Sequence, residues 1–265
     1  MKRNDLRRAA VLAAESLEPR FLLATTARLS ADLSTFTRIP ITFRKPDGSV
    51  GYSNTAHVGQ LSWSGLTGDA AAAGVPASFR SFCIDGLQSV SGGRSTTFSG
   101  FTPAVSGSPL GTGPAMGGSR AGLLQSFWQQ YGPADASGFA DRTDAAAFQV
   151  AIWEIINDAT PSGTRLTFDL ASGQFSVAAA GRTLPAVARA AQWLTGFDST
   201  APARAAVVLY ALQSPTAQDQ IVPVPVVDLD VDSDNRNGLE RSAFEDGIEE
   251  AGVVAGSSTA TGPGV

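Results

Sequence analysis

Cys83 is the only cysteine in this chain of 265 residues, so no intrachain disulfide can staple the fold. Stability has to come from a buried core. Apolar residues make up 43% of the sequence, enough for one large domain with attached tails. Charged residues make up only 16%, and Gly, Ala, Ser and Thr fill the gap. That mix suits a β-rich extracellular domain with many turns better than a cytosolic helical enzyme.

The residues predict an α+β fold: an antiparallel, β-rich domain, sandwich- or barrel-like, with a small helical insertion and flexible tails at both ends. Residues 36–43 form a β-rich run whose Pro40 suggests an edge strand. Pro46-Asp47-Gly48 signals a hairpin turn returning through Val50–Tyr52. His57–Trp63 alternates as a further strand, and Ala70–Gly74 reads as a small-residue loop. Phe79–Ile84 alternates as well, which puts Cys83 on or at the end of a strand. Residues 91–120, rich in Gly, Ser, Thr and Pro, read as loop with one short strand.

Helices are predicted over Ala121–Tyr131, from Thr143 or Asp144 to Asp158, and over Leu184–Leu194. Phe148, Ile152, Ile155 and Ile156 fall on one face of the second. Leu166–Leu170 and Gln174–Ala178 flank Ala171-Ser172-Gly173 as a hairpin, and Ala205–Leu212 is a last strand. The domain is expected over residues 27–222. Pro223-Val224-Pro225 then reads as a linker to an acidic tail, residues 223–265.

The net charge of −5 is uneven: residues 228–250 alone carry nine acids against Arg236 and Arg241. No basic stripe with interleaved aromatics occurs, so no nucleic-acid partner is expected. No apolar run approaches the ~18 residues of a membrane span. Within the tail, Asp230, Asp232 and Asp234 resemble a calcium loop, but the EF-hand spacing fails: with Gly238 sixth, Ser233 is first and Phe244 twelfth. They are weak candidate calcium ligands or a solvated acidic linker, and no other cofactor is expected. His57 is the only histidine; nothing around it or Cys83 matches a Cys–His protease, and the two residues cannot build a zinc site.

Glu15-Ser16-Leu17-Glu18-Pro19-Arg20-Phe21-Leu22-Leu23-Ala24 resembles the LEPR-XLL segment that opens many large exported planctomycete proteins. The resemblance covers about ten residues. It implies export to the cell surface or beyond, with residues 1–25 as a sorting segment outside the fold.

Two further segments decide the functional expectation: Phe82-Cys83-Ile84-Asp85-Gly86, and Phe148-Gln149-Val150-Ala151-Ile152-Trp153-Glu154 on a helix. Together they resemble the thioester domain of Gram-positive surface adhesins, over about residues 50–220. In that family a cysteine in an aromatic-Cys-x-Asp-type strand bonds to the glutamine of a Thr-Gln-x-Ala-Ile-Trp helix; here Phe148 replaces the Thr. The resemblance implies that Cys83 and Gln149 form the thioester pair, supported by Phe82, Asp85, Phe148, Ile152 and Trp153. It implies a single-turnover acyl donor, not a turnover enzyme, whose partner is a protein or polysaccharide surface bearing amines. Lys2 and Lys45 are the only lysines, against seventeen arginines. A GC-rich genome produces that bias, and it also keeps amines away from an internal acyl donor. Gln149 falls in the N-terminal half of its helix, where free N–H groups and the helix dipole would polarise its carbonyl. Taken singly, Gln149 would be a solvated helix residue, Cys83 a small core hydrophobe, and Phe82, Ile152 and Trp153 packing. The alternative is a non-covalent surface or matrix protein with the same fold and no bond.

Overall fold

The computed structural model describes residues 24–30, 36–109, 114–162, 165–201 and 207–225. The sorting segment up to Leu23 and the tail that carries Asp230, Asp232 and Asp234 lie outside the described residues.

The strands are β1 (Thr25–Leu29), β2 (Thr37–Arg44), β3 (Val50–Val58), β4 (Leu61–Thr67), β5 (Ser78–Cys83), β6 (Ser95–Phe98), β7 (Gly100–Pro103), β8 (Thr160–Ser162), β9 (Arg165–Thr167), β10 (Phe175–Val177), β11 (Val207–Gln213) and β12 (Gln220–Pro225). The helices are α1 (Asp69–Ala72), α2 (Gly117–Tyr131), α3 (Arg142–Asp158) and α4 (Pro185–Gly196). The fold is α+β, and every strand pair in it is antiparallel.

Seven strands make the main sheet, in the order β6-β1-β4-β5-β12-β11-β7. Its two edge strands, β6 and β7, are consecutive in the chain with only Ser99 between them. Two edges one residue apart require the sheet to curl back on itself, so it is a nearly closed barrel. The end of β11 reaches both edges: Ser99 N–H donates to the Gln213 carbonyl, and Ser214 Oγ to the Thr97 carbonyl. Trp63, Phe79, Phe98, Leu212 and Val222 fill the interior.

A second core lies outside the barrel wall. It holds Phe82, Ile84 and Ile221 of that wall, the helix residues Leu124, Phe127, Trp128 and Phe148, and the buried face of a three-stranded sheet, β10-β2-β3. On β2 the alternation Ile39, Ile41, Phe43 supplies that face. β5 thus serves both cores, with Phe79 inward and Phe82 outward. Cys83 is its last residue.

Several expectations change. His57–Trp63 is not one strand: Gly59, at φ 154, breaks it into β3 and β4, which belong to different sheets. β2 is central, not an edge; Pro40 is tolerated because pairing with β10 begins one residue later, at Ile41↔Val177. The stretch around residues 95–103 holds two strands whose partners, β1 and β11, are remote in sequence. α2 starts at Gly117, and Asp69–Ala72 is a helical turn. The hairpin around residues 171–173 does not form: β9 pairs with β8, and β10 with β2. Pro223-Val224-Pro225 is not a linker but the end of β12, between β5 and β11. Pro223 sits past the last pairing with β5, Ile221↔Phe82, and the Arg80 N–H goes to the Ala136 carbonyl instead. At the other end, β1 starts at Thr25, buried to 2% exposure, two residues before the expected domain boundary.

Candidate functional site

Helix α3 is capped by Asp141, whose side chain accepts from the N–H groups of Thr143 and Asp144. The cap lies two to three residues earlier than its sequence suggested. Every residue of α3 from Ala145 to Asn157 is buried, so the helix is enclosed on all sides and not amphipathic. Only Gln149, Glu154 and Asn157 on this stretch are polar, and burial obliges each to find a partner. Asn157 Nδ2 donates to the Trp153 carbonyl. Glu154 Oε1 accepts the Asp169 N–H.

Gln149 is 1% exposed and turns to Cys83. The ladder between β4 and β5 stops at Leu61↔Ser81. Two residues on, the Cys83 N–H donates to Gln149 Oε1 at 2.8 Å, and Gln149 Nε2 donates to the Cys83 carbonyl at 2.7 Å. The carboxamide takes the place of a missing strand neighbour. It is held along the backbone of Cys83 by both of its polar atoms. Gln149 is past the first turn of α3, so free helix N–H groups do not reach its carbonyl. The polarising donor is the Cys83 N–H.

Cys83 is 4% exposed, and its thiol donates to the Asp85 carbonyl at 2.8 Å. Burial pushes the thiol pKa well up, and the Asp85 carboxylate adds to the shift; the indole N–H of Trp153 opposes it. A thiol held protonated is a poor general nucleophile and a poor redox centre. The Asp85 side chain is fully buried, and Oδ1 accepts from the N–H groups of Leu87 and Gln88, fixing the loop that follows. Gly86 in this loop lies against the Phe43 ring, where a Cβ would come within 2.4 Å. The Asp85 carbonyl also accepts from Gln218 Nε2.

The aromatic residues of the two motifs are core. Phe82 packs edge-on against Phe148 and Trp128, at 5.0 and 5.6 Å between centroids. Phe148 also stacks on Phe127. Ile152 is fully buried. Trp153 packs edge-on against Phe43 at 5.2 Å, and its indole N–H turns to the Cys83 sulfur.

Cys83, Gln149 and Trp153 form part of the wall of a cleft of about 310 Å3. Gln88 and Gln218 line it too, with His57 at the exposed rim. His57 sits edge-on to Phe36, and the Cys83 thiol turns to Asp85, so the pair does not form a protease dyad. Gln88, Gln218 and Phe43 are site residues that motif reading missed. Nothing local marks them; β12 brings in Gln218 only because it pairs with β5. Among the described residues, no group of three or more His, Cys, Asp or Glu side chains is placed to hold a metal ion, and no helix is long and apolar enough to cross a membrane.

No protein-family model matches the chain, and the curated proteins and solved structures compared with it yield no match either.

Proposed function

We propose that this chain is an exported surface attachment module whose Cys83 and Gln149 condense into an internal thioester that captures a nucleophile on a partner. The observation that carries this reading is the carboxamide of Gln149 laid along the Cys83 backbone, with its oxygen on the Cys83 N–H. The two hydrogen bonds fix the carboxamide beside the residue that carries the nucleophile, and positioning of this kind is what an intramolecular acyl transfer uses. In the forming step, Cys83 Sγ attacks Gln149 Cδ. The C–S bond forms, the C–N bond breaks, and the thiol proton leaves on the ammonia. The Cys83 N–H stabilises the oxyanion between. Burial of both residues keeps water from the product.

The export reading follows from the LEPR-XLL resemblance. A second reading has its own support: the same two hydrogen bonds extend the β5 ladder where β4 ends, a structural task that an unreacted glutamine performs. The protein is then a non-covalent surface module.

Intact mass separates the two. A thioester leaves the purified protein lighter by one ammonia; methylamine then adds its own mass and exposes a titratable thiol. Full mass with a free thiol sinks the covalent reading. Cys83→Ala is expected to abolish the mass deficit and all capture while costing about 1 kcal/mol of stability. Outright unfolding of that variant would point to packing instead.

A further inference from the structure

We propose that the nucleophile this cleft accepts is an uncharged hydroxyl of a sugar ring, not the ammonium of a lysine side chain. The inference rests on the thioester reading above and names the partner chemistry of that same site.

Three observations carry it. First, none of the described residues lining the cleft is Asp, Glu, Lys or Arg; His57 at the rim is the only basic side chain there. An ammonium entering it would shed water and find no carboxylate in the lining; the Asp85 and Asp219 carboxylates that act on the Cys83 thiol are not part of it. It would also have to lose a proton before attacking, because an alkyl amine titrates near ~10.4. A hydroxyl enters neutral. Second, one polar atom of the lining, Gln88 Oε1, is buried without a partner, while the buried Trp153 N–H turns to the Cys83 sulfur. A free acceptor of this kind takes the O–H of a neutral hydroxyl. Trp153 as a residue is only 4% exposed. Third, Phe36, Phe43 and Tyr52 join Trp153 in the lining. Aromatic side chains with a few placed polar atoms suit a ring that has an apolar C–H face and polar edges. A serine or threonine hydroxyl has no such face to cover them.

The transfer balances without a further reagent. The hydroxyl oxygen attacks Gln149 Cδ, a C–O ester bond forms, the C–S bond breaks, and the hydroxyl proton passes to Cys83 Sγ. Gln88 Oε1 accepts from a second hydroxyl of the same ring, and the Trp153 N–H supports the departing sulfur.

The test uses full-length protein and three probes: methyl α-glucoside, N-acetylserine methylamide and N-acetyllysine methylamide. Covalent addition is followed by intact mass. Each rate is divided by the rate of the same probe with a free glutamyl thioester, which removes intrinsic reactivity. The glucoside is expected to lead both other probes by about tenfold, a difference of ~1.4 kcal/mol. Gln88→Leu is expected to lower the glucoside rate by a similar factor. A lysine or serine probe that equals or exceeds the glucoside overturns the proposal, as does an unchanged glucoside rate in Gln88→Leu. Full mass before any probe is added overturns this proposal and the thioester reading together. A mass deficit without sugar preference overturns this proposal alone.

Discussion

The barrel interior and the surroundings of α3 treat buried polar atoms differently. Inside the barrel, Trp63 Nε1 donates to Ser81 Oγ, which donates to Gln220 Oε1, and Gln220 Nε2 continues to the Gln218 carbonyl. Along α3 and the adjoining cleft, Gln88 Oε1, Glu154 Oε2 and Asn157 Oδ1 are buried without partners. An orphaned buried polar atom costs about 1–3 kcal/mol, so a fold keeps one only where something offsets it. The difference divides the domain into a satisfied scaffold and a helix that keeps unsatisfied atoms.

Gln149→Ala tests that division most severely. It strips the Cys83 N–H and carbonyl of their partners in a dry site, and is expected to cost about 2–5 kcal/mol in urea unfolding as well as all of the mass deficit. A loss below 1 kcal/mol would mean that water or another group replaces the carboxamide on the Cys83 backbone.

Ser81→Ala probes the scaffold side. It leaves the Trp63 N–H without its acceptor and is expected to cost about 2–3 kcal/mol while leaving capture and mass deficit unchanged. Altered capture would break the separation between scaffold and site.

Glu154→Gln gives the smallest effect and the clearest sign. Burial pushes the Glu154 carboxyl up from 4.5 to about 7, with Asp158 and Asp169 adding to the shift against the Asp169 N–H. Between those values the folded chain holds a proton that the unfolded chain has released. Stability therefore falls as pH rises from about 4.5 to about 7, then levels off. The glutamine variant still accepts the Asp169 N–H. It is expected to lose that slope and to be more stable than the parent at pH 8 by about 1–2 kcal/mol. Parallel stability curves for the two proteins would show that Glu154 titrates normally.

Part of this molecule was legible in the chain itself. Period-two runs such as Ile39-Pro40-Ile41-Thr42-Phe43 announced strands, and Asp47-Gly48 announced their turn, because alternation and turn chemistry are local properties. The long helix around Gln149 was visible for the same reason. The spacing of Cys83 and Gln149, 66 residues apart, pointed to a pairing by resemblance alone.

Tertiary structure decided the rest. Proline in β2 and β12 misled the reading, since whether a missing N–H matters depends on where the neighbouring strand stops, as it does at Ile41↔Val177 and Ile221↔Phe82. β6 and β7 are Ser-, Thr- and Gly-rich segments that become strands only against β1 and β11. The donor on the Gln149 carboxamide oxygen is a backbone N–H of β5, open to the helix because β4 begins only at Leu61, opposite Ser81. Local sequence encodes propensity, whereas the ending of a ladder, the closing of a barrel and the orphaning of a buried atom are set by chains remote in sequence meeting in space.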